Sequence, residues 1–158
     1  MTTANVVFSG PADKVRPITR DAPIKTGETI LPGHLVALDS NGEWVGVTTQ
    51  GGAIGFCIAD MNVIEQKSAT EALTAGDNAK AFVPEVGCTY NLVLATSQTI
   101  VKGDAITSSA TAGLVEKATT TGATVDEVLF IAEEAVTTTG ATARIRVRHV
   151  ASGVAATA

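Results

Sequence analysis

Aromatic side chains are scarce in this sequence: one Trp, one Tyr and four Phe among 158 residues. A site that grips sugars by stacking rings on them is therefore poorly supplied. Charge is scarce too, at 17% of positions with a formal net charge of −5. That sign argues against nonspecific binding to nucleic acid or to an anionic membrane. Histidine occurs only at positions 34 and 149 and cysteine only at 57 and 88. The cysteines have no CxxC spacing and no companion His pair, so two buried free thiols are the simple reading.

Further absences narrow the function classes. No GxSxG is present, and neither His34 nor His149 has a nucleophile signature beside it. The glycines of QGGAIGF (Gln50–Phe56) are followed by no Lys-Ser/Thr and precede a strand pattern, so a turn explains them better than a phosphate loop does. Glu133 and Glu134, with Asp126 and Glu127, suggest paired carboxylates, but adjacent strand residues face opposite ways. We therefore expect no catalytic residues, no cofactor and no metal. No apolar run reaches the roughly 20 residues of a membrane span. The opening MTTANVVFSGPADKV lacks the basic start and apolar stretch of a signal peptide, so synthesis in a cytoplasm is expected.

What is there is small and β-leaning. Hydrophobic residues make up 45% of the chain, drawn mainly from Ala, Val, Ile and Leu, with Thr abundant beside them. From Thr26 onward, HLVALD, EWVGVTT, AIGFCIAD, AKAFVPEV, YNLVLAT, DAITSS, EVLFIAEEAV and ARIRVRHV are strand-length alternations, often ending in Gly, Asn, Asp or Ser. The best helical stretch, Val63–Asp77, has room for a turn or two ending at Gly76. The expected fold is all-β, a small barrel or sandwich with at most one short helix.

Before Thr26 the texture differs. Pro11, Pro17 and Pro23 recur among Lys14, Arg16 and Arg20, which predicts an extended N-terminal arm over 1–25 with at most a short edge strand near NVVF. Residues 151–158 read as a flexible tail.

TTTGAT occurs twice, at Thr119–Thr124 and Thr137–Thr142. The larger repeat lies elsewhere. TILPGHLV (Thr29–Val36) lines up with TIVKGDAI (Thr99–Ile106), NGEWV (Asn41–Val45) with AGLV (Ala112–Val115), FCIAD (Phe56–Asp60) with LFIAE (Leu129–Glu133), and AGDNAKAFVPEV (Ala75–Val86) with TGATARIRVRHV (Thr139–Val150). Four matches in one order indicate an internal duplication of about 26–86 and 97–150 within a single β-domain spanning 26–150. Each half is too small to bury its apolar face alone, so the two should pack together. TTTGAT is turn chemistry, with Gly140 placed against Gly76 of the first half and Gly122 in a loop.

The most distinctive charge pattern is ARIRVRH. It puts Arg144, Arg146 and Arg148 on one face and Ala143, Ile145 and Val147 on the other. The row either pairs across a hairpin with Glu133 or Glu134 or serves as a docking stripe for an acidic protein surface. Trp44 either closes the core or anchors an interface. As candidate partner contacts we take Val6, Val7, Phe8, Arg16 and Arg20 of the arm, with Trp44, Arg144, Arg146 and Arg148.

The doubled pattern of strand, glycine turn and GFCIAD-like strand resembles the small capsid decoration (cement) proteins of tailed bacteriophages. TILPGHLVALDSNGEWVGV, IGFCIADM, LTAGDNAKAFV, and TIVKGDAITSSATAGLVEKA through IAEEAVTTTGATARIRVRHV carry the likeness. The resemblance implies a non-enzymatic β-barrel-like protein on the capsid exterior of the virion, often a homotrimer at three-fold positions. It would clamp neighbouring subunits of the major capsid protein against internal DNA pressure, with no nucleic acid or membrane as partner. The family has no catalytic residues to carry over. The Pro-punctuated N-terminal segment departs from its plainest members. The competing readings are another phage component, such as a head-fibre base or tail protein, and a non-catalytic small-ligand or carbohydrate-binding β module.

Overall fold

The computed structural model describes residues 18–53, 55–60 and 68–154. Among them the chain is all-β and contains no helix. Its first seven strands are β1 (Thr19–Pro23), β2 (Thr29–Ile30), β3 (Leu35–Leu38), β4 (Trp44–Gly46), β5 (Cys57–Ala59), β6 (Leu73–Thr74) and β7 (Asn78–Phe82). The next seven are β8 (Thr89–Leu94), β9 (Thr99–Ile100), β10 (Ala105–Ser108), β11 (Val115–Lys117), β12 (Glu127–Ala132), β13 (Val136–Thr137) and β14 (Ala143–Val154).

The second set repeats the first, strand for strand. The first sheet has the order β1-β7-β5-β3-β4, and the second closes into a barrel in which β8, β14, β12, β10 and β11 follow one another in the same sense. A parallel pairing of Val115 with Leu94 closes that barrel; in the first sheet, which is not a closed barrel, an isolated parallel bridge joins Ile24 to Trp44 at the corresponding place. Each half also carries a small two-stranded sheet, β2 with β6 and β9 with β13. Closure leaves few unpaired sheet edges, which is how small β-units avoid edge-to-edge association.

Main-chain hydrogen bonds repeat as well. Gly33 N donates to Ala59 O (2.8 Å) and Ala59 N to His34 O (2.9 Å); Gly103 N donates to Ala132 O (2.8 Å) and Ala132 N to Asp104 O (2.9 Å). Both turns use a glycine at positive φ, +88° at Gly33 and +95° at Gly103, a conformation that costs other residues energy.

The duplication read from the letters holds for β3 and β5, since Leu35 opposes Ile58 as Ala105 opposes Ile131. At the last strand it slips. Ile58 opposes Phe82 and Ile131 opposes Arg148, so Phe82 corresponds to Arg148, two residues beyond the Arg146 that matching Gly76 to Gly140 would give. Gly140 is not a positive-φ glycine, whereas Gly122 is, at +111°. Positive φ therefore explains only the first TTTGAT copy.

Three expected boundaries move. Thr19–Pro23, placed in the arm, is a strand of the first sheet, paired with β7 along its whole length. The second unit begins at β8 rather than at 97, and β14 continues to Val154, inside the expected tail. The expected short helix is replaced at its C-terminal end by Leu73–Thr74, a strand paired with β2, and a Gly76 turn; its first residues lie outside the described ones. So does the edge strand expected near NVVF.

The halves form one packed body. Leu35, Val47, Phe56, Ile58 and Phe82 share a buried cluster with Tyr90, Leu92, Leu94, Ile106, Phe130 and Ile145. Leu35 N donates to Gly113 O (2.8 Å), Gly113 N to Val47 O (2.8 Å) and Glu127 N to Gly51 O (2.8 Å). QGGAIGF is thus part of this joint, where a Cβ on Gly51 would lie 2.4 Å from an Asp126 carboxylate oxygen. No phosphate-binding role is needed to explain its glycines.

Candidate docking face and groove

Strand β14 alternates as expected: Ile145 and Val147 are fully buried, while Arg146 and Arg148 are exposed. Arg148 Nε donates to Glu133 Oε1 at 2.8 Å, forming the cross-hairpin pair foreseen for this row. That bond holds the Glu133 carboxyl below its usual range. Glu134 Oε1 accepts from the Arg146 main-chain N at 2.7 Å.

Arg144 parts company with the other two. It lies at the joint, where its Nη2 donates to the carbonyls of Pro32 (2.9 Å) and Ala69. Its Nη1 is buried with no hydrogen-bond partner. Gly33 makes room for it, since a Cβ there would sit 2.8 Å from Nη1 and 2.6 Å from the Asn91 carbonyl oxygen. Burial depresses the Arg144 pKa from its ordinary value.

His34 lies at the same joint, 7% exposed. Its Nδ1 accepts from Leu31 N at 3.3 Å, which leaves the proton of the neutral ring on Nε2, a buried atom with no partner. Burial, and then the Arg144 charge, push its pKa down to about 4. The ring is therefore neutral at pH 7.

Arg144 and Arg146 line a groove of about 790 Å³ together with Leu31, Val93, Glu134 and Val136. A second, smaller hollow of about 440 Å³ is bordered by Phe56, Val86, Glu127 and His149. There His149 Nδ1 bonds the Leu129 carbonyl (2.8 Å) and its ring meets Phe56 edge-on; burial lowers its pKa. The two histidines thus belong to different surroundings. Cys57 and Cys88 are free, buried thiols. Among the described residues no group of three or more His, Cys, Asp or Glu is placed to hold a metal.

The candidate contacts do not form one patch. Trp44 is 1% exposed, in the core of the first unit, with its indole N donating to Ala79 O at 2.9 Å. A partner docking on the outside cannot reach it, so the interface expectation is corrected in favour of the core. Arg20 is exposed on β1 of the first sheet, apart in the fold from the β14 row of the barrel. Val6, Val7, Phe8 and Arg16 lie outside the described residues. Sequence reasoning missed Gly33 and His34 as neighbours of Arg144. The signal available was weak: a glycine turn matched between the halves with His in one and Asp in the other. No family model matches this chain, and no curated protein matches it.

Proposed function

We propose that this chain is a capsid decoration protein of a tailed bacteriophage, bound to the outside of the head and clamping neighbouring subunits of the major capsid protein. The observation that carries the reading is the doubling. The passages that resemble decoration proteins fall on matching strands of two β-units that share one core. A body so closed and cross-bonded is stiff and offers a partner few free main-chain edges. That suits a protein whose work is surface burial repeated over many copies. In this reading Arg146 and Arg148 face an acidic patch of the shell, the residues before β1 lie across adjacent subunits, and three copies meet at a three-fold position of the virion.

The test is to add the purified protein to expanded heads that lack it, count bound copies by particle imaging, and follow the temperature at which the heads rupture. Saturable binding at three-fold positions with a higher rupture temperature is expected. Recovery of the protein from tails, with no binding to heads, would transfer it to another virion component. Removing residues 1–17 should weaken head binding; unchanged binding would remove the arm from the account.

A further inference from the structure

The groove beside the joint holds a positive charge that its own walls do not balance. The Arg144 guanidinium is held by two carbonyl oxygens, and its Nη1 has no partner. None of the ion pairs among the described residues includes it. A part-buried cation held only by neutral groups is costly, and a nearby anion offsets that cost. Arg146 adds a second cation to the same groove. Glu134 is the acidic residue among the described lining, and one of its oxygens already accepts from the Arg146 main chain. The whole chain carries a net charge of −5, so two arginines facing one glutamate here run against the average of the protein. Leu31, Val93 and Val136 give the rest of the wall an apolar stretch beside the polar Asn91, Thr137 and Thr142, and about 790 Å³ falls within the roughly 300–1,000 Å³ of built ligand sites.

We infer that this groove binds a short acidic segment of a partner protein: one Asp or Glu carboxylate set against Arg144 and Arg146, flanked by small apolar side chains on the Leu31, Val93 and Val136 wall. Arg146, exposed on the groove, offers the planar fork that pairs with a carboxylate in a fixed geometry, while Arg144, whose Nη2 is taken by two carbonyls and whose Nη1 is buried, adds its charge to the same wall. Gly33 is part of the site, since any side chain there would displace the guanidinium. The inference shares Arg146 with the capsid reading but needs no capsid, and it is tested on the isolated chain.

The probe is a capped heptapeptide of Ser, Ala and Val with one central Glu, titrated against the full chain while the methyl resonances of Leu31, Val93 and Val136 are followed by NMR. A counterpart with Gln in place of Glu is the control. The expected result is saturable shifts confined to those methyls, binding at least about tenfold tighter for the Glu peptide, and weakening with added salt. Arg146→Gln, at an exposed position, should reduce the Glu peptide's advantage while leaving the melting temperature in place. Arg144→Gln should abolish it. If that variant does not fold, the Glu/Gln contrast and Arg146→Gln decide by themselves. Equal binding of the two peptides, or no movement of these methyls at about millimolar peptide, overturns the inference.

Discussion

In the core of the first unit, β1, β5 and β7 place Ala22, Cys57, Ala59, Ala79 and Ala81, and β4 supplies Trp44. In the second barrel the matching positions on β8, β12 and β14 carry Leu92, Phe130, Ala132, Ile145 and Val147, and β11 supplies Val115. In the first, Trp44 sits with alanines and Cys57, and Ile24, Ile30, Val36 and Leu73 complete the cluster; in the second, Phe130 and aliphatic side chains share the volume. A duplicated unit can thus keep its strand order while moving its core volume from position to position, because packing constrains the total volume more than the place of each group. The outer faces differ for another reason. Leu35, Ile58 and Phe82 of the first unit are buried in the joint, whereas their counterparts Ala105, Ile131 and Arg148 face outward, with Arg148 exposed and paired to Glu133. His34 is neutral in the joint, whereas Asp104, its counterpart, bonds Lys117 Nζ at 2.7 Å near the surface.

The sharpest way to break the comparison is at Trp44. Trp44→Ala should cost about 3–5 kcal/mol in denaturant unfolding, because the alanines around it cannot collapse into the space. Trp44→Val combined with Cys57→Phe, which imposes the second barrel's distribution of volume, should recover part of the loss. Simple additivity of the two changes would refute the volume exchange.

The turns before β4 and β11 offer the next test. Gly42 and Gly113 have φ of +77° and +76°, but a Cβ on Gly42 meets nothing, whereas one on Gly113 would lie 2.7 Å from the His34 ring. Gly42→Ala should cost about 1–2 kcal/mol of backbone strain. Gly113→Ala adds an overlap worth a further ~1–3 kcal/mol, read as a larger fall in unfolding midpoint.

His34 should make stability depend on pH. Its folded pKa, about 4, lies below the ordinary histidine value of 6.5, so the unfolded chain binds its proton first as pH falls. The contribution is complete above pH 6.5 and is lost as pH falls through about 4, with up to about 3 kcal/mol at stake. His34→Gln should flatten that part of the stability profile; an unchanged slope would clear His34 of the effect.

The smallest effect belongs to the exposed pair. Arg148→Ala should let Glu133 titrate at a higher pH, seen by NMR, while the melting temperature barely moves. A large stability loss would mean that the outer face of the second barrel is more than solvated surface.

Alternation of small apolar residues marked the strands, turn glycines marked their ends, and the repeated letters of FCIAD and LFIAE marked the two halves. These features were legible because strand geometry imposes a period of two that a sequence displays directly. That same period hid the slip at β14: a shift of two residues keeps every side chain on its own face, so only the hydrogen-bonded register of Phe82 and Arg148 could reveal it. Nor could the alternation separate Arg144 from Arg146 and Arg148. By itself the sequence determined an all-β chain with a doubled plan. Which outer face is covered, where Trp44 points, and that Arg144 pairs with no carboxylate among the described residues were decided when the halves met, because burial and pairing there depend on residues brought together from distant parts of the chain.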